Sequence, residues 1–262
     1  MTGPSAGTDP ALTIEDVSVT FGGNHALRGV GFEVRTGFTG LLGANGAGKT
    51  TLLNVLSGIV APVSGRVLVH GRSTAGLSQA RIARLGVGRT FQTPKLIKVA
   101  SVLDNVLLGL DGRQGLAAQW AEVFGLARRR GARQQARAQL DELGLADRAA
   151  EPVANLPLPA QKLVEIARAL VCRPSVLLLD EPAAGLGRSD ADALVERLRA
   201  VVDRTELAVL IIEHDVELIS RLCPHAVVLD FGRVIAEGEP RELLRRPEVV
   251  EAYLGADVAA VD

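Results

Sequence analysis

The sequence predicts an α/β fold: a parallel sheet covered by helices on both faces and interrupted by a helical insertion. Strand-length apolar stretches recur at Leu12–Thr20, Gly31–Arg35, Thr39–Leu42, Arg66–Val69, Val87–Phe91, Val176–Asp180, Ala208–Glu213 and Ala226–Leu229. Helical periodicity follows several of them, at Lys49–Ser57, Ser189–Val202 and Val216–Leu222. Short apolar strands alternating with helices are the pattern of a parallel sheet buried on both sides. From about Val102 to Ala150 the strand signals stop, and the stretch LARRRGARQQARAQLDELGLADRA places apolar residues among charged ones at helical spacing. The Arg128–Arg130 run reads as a solvated helix face. The core pattern resumes near Pro174.

Composition narrows the function. With 262 residues and 47% hydrophobic content the chain can bury one large core. A net charge of -1 gives no bulk attraction to nucleic acid or anionic lipid. Cys172 and Cys223 lack metal spacing and suggest buried thiols in a reducing compartment. The longest apolar runs, SVLLL and LAVLII, are too short to cross a bilayer. Residues 1–10, MTGPSAGTDP, lack a signal pattern and are expected to be a disordered tail. A cytoplasmic protein is expected, with any membrane role exercised through a partner.

The stretch LLGANGAGKTT follows a predicted strand and opens a predicted helix. Gly43, Gly48, Lys49 and Thr50 match the phosphate-binding pattern G-x-x-x-x-G-K-[ST]. Glycine lets the backbone turn tightly and aim N–H groups at phosphate. Lys49 supplies a point charge, Thr50 a hydroxyl for Mg²⁺, and the helix N-terminus favours an anion. Asn45, Gly46 and Thr51 belong to the same loop and are expected to bind the nucleotide.

In SVLLLDEP, an apolar strand delivers Asp180 at its C-terminal end, where open α/β sheets bind ligands. Asp180 is placed to hold Mg²⁺ through water, and Glu181 to deprotonate an attacking water. His214, after the strand in VLIIEHD, could contact the γ-phosphate. Gln92, in GVGRTFQTP, could touch Mg²⁺ and the attacking water. Alone, either would read as an ordinary strand-end residue.

Together these residues resemble the nucleotide-binding subunit of an ABC transporter along nearly the whole chain. The pieces that carry the resemblance are GANGAGKTT, the Gln92 loop, LVEIARAL, LLLDEP and His214, in that order. It implies a P-loop NTPase (RecA-like) core with an N-terminal antiparallel β part and an inserted helical subdomain. The domain would run over residues 11–262, with the core at 11–93 and 174–262 and the helical part at about 94–173. By the same resemblance Phe21 stacks on adenine. RIARLGVGRTFQTPKL, VLDNVLLGL, EPAAGLG, IIEHDVELI and EVVEAYLG look like one of the two ATPases of branched-chain amino acid importers, the kind with the longer helical subdomain. The implied cofactors are ATP and Mg²⁺. The implied partners are a second ABC ATPase subunit, integral membrane permease subunits and a solute-binding protein, with no nucleic acid. The chain would then lie on the inner face of the cell membrane, touching the permease near Gln92 to Val102. Importers of urea or short amides, and a weakly hydrolysing regulatory switch, remain alternatives.

One stretch departs from the family. Its members sandwich each ATP between one chain's phosphate loop and the partner's signature, usually L-S-G-G-Q. The aligned residues here are Leu156, Pro157, Leu158, Pro159 and Ala160. Pro157 has no hydroxyl and Pro159 no N–H, so two donors to the γ-phosphate are lost. Prolines are tolerated in a first helical turn, so the helix itself should survive. A heterodimer with one strong and one weak site is expected over a homodimer with two weak ones, unless Gln161 or Lys162 supplies a substitute donor. Gly187 also stands where the family usually carries Asp or Asn, which puts coupling between the two sites in doubt.

Overall fold

The alternation of strand and helix is realised in two compact units. The computed structural model describes residues 9–111 and 125–258. One unit comprises residues 1–77 with 206–262, the other residues 78–205. The expected tail at residues 1–10 lies, except for Asp9 and Pro10, outside the described residues.

The first unit opens with β1 (Leu12–Phe21) and β2 (Asn24–Val34), an antiparallel pair closed by Gly22 and Gly23, both at positive φ. β4 (Ser64–Val69) and β5 (Arg72–Ser73) complete a four-stranded sheet in the order β2-β1-β4-β5. This is the antiparallel part the resemblance implied. A second sheet centres on β3 (Gly37–Leu42), which runs parallel to β8 (Ala208–Ile212) and β9 (His225–Asp230). β10 (Arg233–Gly238) adds an antiparallel edge. Every residue of β8 is buried, as a strand covered on both faces requires. Helices α1 (Lys49–Leu56) and α7 (Val216–Leu222) belong to this unit. So do α8 (Pro240–Leu243) and α9 (Pro247–Val258).

In the second unit β6 (Val87–Arg89) pairs in parallel with β7 (Val176–Asp180). Its helices are α2 (Gln79–Arg84), α3 (Val102–Asp111), α4 (Gly125–Glu142), α5 (Leu158–Leu170) and α6 (Arg188–Val202). The helical reading of Val102 to Ala150 is realised by α3 and α4, with residues 112–124 outside the described residues; 3₁₀ turns at Ala146–Arg148 and Val153–Asn155 lead from α4 to α5. The backbone before α5 is tied to the segment after Gln92. Ala154 N donates to Lys98 O at 2.9 Å, Val153 N to Ala100 O at 3.0 Å and Val102 N to Glu151 O at 2.9 Å.

Several boundaries differ from the sequence reading. β2 starts seven residues before the predicted Gly31, because its polar first half pairs with β1 and needs no apolar face. β6 ends at Arg89 rather than Phe91; Thr90 N still donates to Leu178 O at 3.0 Å, and the chain then leaves the sheet. Cys223 is buried as expected, and burial pushes its thiol up to about 12. Cys172 is half-buried instead, its Sγ 2.9 Å from Gly109 O. Among the described residues no helix is long and apolar enough to cross a membrane.

Candidate functional site

The phosphate-loop residues come together between β3 and α1 of the first unit. Gly43 has φ 148, and a Cβ there would lie 2.2 Å from Leu229 O. Gly48, the N-cap of α1, has φ 106, and its Cβ would lie 2.7 Å from Ala26 O. Both positions therefore demand glycine on steric as well as conformational grounds. Gly46 has φ 81 with nothing within 4 Å of a Cβ, so the loop is open on that side. Lys49 is buried, and its Nζ donates to Gly43 O at 2.6 Å and Ala44 O at 2.9 Å. The ammonium thus holds the loop closed on itself. Asn45, Gly46 and Thr50 are exposed and Thr51 is half-buried. The first-turn N–H groups of α1 have no preceding turn to bond, so the loop is chemically fit for an anion.

Two further candidates lie in this unit. Phe21, the last residue of β1, is 52% exposed, open enough to offer a ring face. His214 is exposed just beyond β8, next to Asp215, whose carboxylate caps α7 by accepting Leu218 N at 3.0 Å.

The acidic residues gather in the second unit, at the end of β7. Asp180 is buried, and Arg89 Nη2 lies 3.4 Å from its Oδ2. The parallel register pairs Arg89 with Leu178, so Arg89 and Asp180 share one face of the β6–β7 pair. Burial lowers the Arg89 pKa and Asp180 partly restores it. The guanidinium carbon also sits 5.1 Å from the Phe91 ring centre. Arg89→Met is expected to destabilise the fold by about 3 kcal/mol, since it takes the opposite charge away from a buried carboxylate. Urea unfolding measures this, and an unchanged midpoint would contradict it.

Glu181 follows in the left-handed region at φ 49, and its Oε2 accepts Gln92 Nε2 at 2.6 Å. This contact joins two of the site residues named from sequence. The Gln92 loop is anchored to α5: Glu165 Oε1 accepts Lys95 N at 3.1 Å, and Arg168 Nη1 donates to Lys95 O at 2.6 Å. Burial raises the Glu165 pKa, against the backbone of Lys95, Arg168, the backbone of Phe91 and Lys162, which lower it. A carboxyl raised on folding binds its proton more tightly when folded. Its contribution to stability is therefore lost as pH rises from the ordinary 4.5 through the raised value. Glu165→Gln is expected to flatten that slope, read as the change in urea midpoint between about pH 4.5 and 7. A slope equal to wild type would contradict it.

The residues that the resemblance aligns with the signature lie in this unit too. Pro157 is the N-cap of α5 with φ −66 and ψ 158, and Leu158 is the first helical residue. Pro159 falls in the first turn, where its missing N–H breaks no helical bond. Leu156 is buried, Leu158 is 39% exposed and Ala160 is buried. Both suggested substitute donors already bond partners within this unit. Gln161 Nε2 donates to Leu156 O at 2.8 Å, and its Oε1 accepts Lys98 Nζ at 2.6 Å. Lys162 is buried, and its Nζ donates to Glu181 O at 3.1 Å. Gly187 is the N-cap of α6 and offers no side-chain bond there.

Sequence reasoning missed Arg89 and Glu165. A charged residue inside an otherwise apolar strand, and an acid on the apolar face of LVEIARAL, were the available signals.

A family model described as ABC transporter matches residues 27–184, and one described as branched-chain amino acid ATP-binding cassette transporter matches residues 233–259. The high-affinity branched-chain amino acid transport ATP-binding protein LivG of Salmonella typhimurium is 34% identical over 252 residues, covering 95% of this chain and 99% of LivG. BraF of Pseudomonas aeruginosa, of the same description, is 34% identical over 250 residues, covering 94% and 98%. The ADP conformation of MJ1267, an ATP-binding cassette of an ABC transporter, superposes with a TM-score of 0.82 at 31% identity, covering 95% of this chain and 100% of that one. The chain belongs to the ABC transporter family, as an ATP-binding cassette of the branched-chain amino acid group.

Proposed function

We propose that this chain hydrolyses ATP as the energising subunit of an importer for branched-chain amino acids. The observation that carries the hydrolytic reading is the 2.6 Å bond between Gln92 and Glu181, which gives a carboxylate base an oriented neighbour at the end of β7. In this reading Phe21 stacks on adenine. Gly43, Asn45, Gly46, Gly48, Lys49, Thr50 and Thr51 hold the phosphates. Thr50, Asp180 and Gln92 hold Mg²⁺ partly through water, a hard-oxygen set that suits this ion. When bound, Mg²⁺ neutralises charge on the β- and γ-phosphate oxygens. Glu181 takes a proton from water as the water oxygen bonds to the γ-phosphorus. The bond from phosphorus to the β–γ bridging oxygen breaks, and its electron pair leaves with ADP. His214 donates to the γ-phosphate.

The transport reading is supported by likeness to LivG and BraF over almost their full lengths. Permease subunits and a solute-binding protein would complete the system, on the inner face of the membrane. Ile97 at 48% and Val99 at 88% exposure, beside the Gln92 loop, suit an apolar permease contact. The helical subdomain, about residues 94–173, would pass the closure of two ATPase subunits to the permease. Intact phosphate-loop and acidic residues beside a proline-bearing signature favour a heterodimer.

Deleting the gene should abolish uptake of radiolabelled leucine, with rescue by the wild-type chain and not by Lys49→Ala. Losing the charge-assisted bonds of Lys49 should weaken ATP binding by roughly 10–100-fold. Leucine uptake that survives the deletion would contradict the reading.

A further inference from the structure

The helix that carries the signature stretch also grips Glu181. Lys162 is 4% exposed, and its Nζ donates to the Glu181 carbonyl at 3.1 Å. A buried ammonium is costly unless it is paired and bonded. The charge of Lys162 is offset by Glu165, three residues on and 3% exposed. Glu181 adopts φ 49, a left-handed conformation that a residue with a Cβ resists. The surroundings must therefore hold it there, and the carbonyl of that strained residue accepts both Ala184 N, within the turn, and the Lys162 ammonium, from α5, each at 3.1 Å.

The other end of Glu181 is held through the same helix. Its carboxylate accepts Gln92 Nε2 at 2.6 Å. The Gln92 loop is fixed to α5 by Glu165 and Arg168 on the Lys95 backbone, at 3.1 and 2.6 Å, and by Gln161 on Lys98 at 2.6 Å. Backbone carbonyl and carboxylate of Glu181 are thus both referred to α5, one directly and one through Gln92.

We propose that Lys162 is a positioning residue for Glu181: it holds the left-handed turn after β7 so that the carboxylate meets Gln92, and ties that geometry to the helix bearing the signature. The proposal rests on the ATPase reading above. Within it, a partner nucleotide that moves the first turn of α5 also moves the general base of this chain's own site. The side-chain bonds of Gln161 and Lys162 are accordingly made within the second unit rather than to the partner's phosphate.

The test compares Lys162→Met and Lys162→Arg in the full chain with Mg-ATP and a partner ATPase that carries an intact signature. Lys162→Met keeps the length of the side chain and loses the donor, so kcat should fall at least tenfold with the KM for ATP within twofold. Lys162→Arg keeps a donor and should stay within threefold of wild type. Wild-type kcat in Lys162→Met would overturn the proposal, as would an equal fall in Lys162→Arg. If Lys162→Met does not fold, Lys162→Gln, which keeps a shorter donor, should show a smaller fall in kcat at unchanged KM. An unchanged kcat there overturns the proposal. The Gln92 side-chain amide resonances in ¹⁵N-labelled protein report the contact without turnover. They should shift in the donor-deficient variant, as is also expected of Glu181→Gln, and unmoved resonances overturn the proposal. Wild-type protein without Glu181-dependent hydrolysis would sink the ATPase reading, and the resonances would then decide the role of Lys162 alone.

Discussion

Glu181→Gln is expected to slow Mg-ATP hydrolysis by roughly 10²–10⁴-fold while leaving ATP affinity within about twofold, the range over which a positioned general base acts. The substitution keeps the shape of the side chain and replaces the proton acceptor with an amide. It also places two amides face to face, where Gln92 now donates to a carboxylate at 2.6 Å. The phosphate loop is built by other residues, and its closure by Lys49 onto Gly43 and Ala44 does not involve Glu181. Phosphate release under single-turnover conditions, set beside fluorescent-ATP binding, separates the two effects. Turnover near wild type would remove Glu181 from the base role.

The second large effect is expected at the signature. Restoring Pro157→Ser, Pro159→Gly and Ala160→Gln together should raise hydrolysis at the site this chain completes by roughly 10²–10³ for each recovered donor. The helix should tolerate the change, because α5 begins at Leu158 and neither proline removes a helical bond. Substitute donors do not weaken the expectation: Gln161 bonds Leu156 O and Lys162 bonds Glu181 O. Steady-state phosphate release by the wild-type and restored chains measures the gain. Equal rates would show that the signature stretch gives the phosphate nothing in this protein.

The fold was most legible where chemistry and burial coincide. β3, the glycine loop and α1 were readable because an apolar strand, two sterically required glycines and an apolar-periodic helix fall in succession. β7 and β8 were readable because strands buried on both faces are apolar in a near-continuous run, broken in β7 only by Asp180 at its end. The first half of β2 was hidden because Asn24, His25 and Gly29 resemble a turn and are exposed in the strand. β5 has two exposed residues and offers no pattern to read. Around the acidic residues the sequence named Asp180, Glu181 and Gln92 but not what holds them. The Arg89–Asp180 pair spans 91 residues, and Lys95 N meets Glu165 across 70, distances over which no local periodicity carries information. From the sequence Lys162 reads only as a substitute donor to the partner's phosphate, whereas its ammonium bonds the Glu181 carbonyl.

The central claim is that this chain keeps its own ATP-binding residues and presents a signature too poor to close on a second copy. Light scattering of purified Glu181→Gln, alone, with and without Mg-ATP, tests it most directly. The account predicts a monomer in both conditions, and a dimer only when a partner ATPase with an intact signature is added. A dimer of this chain alone, formed on adding Mg-ATP, would contradict the account and show that the proline-bearing signature still engages the γ-phosphate.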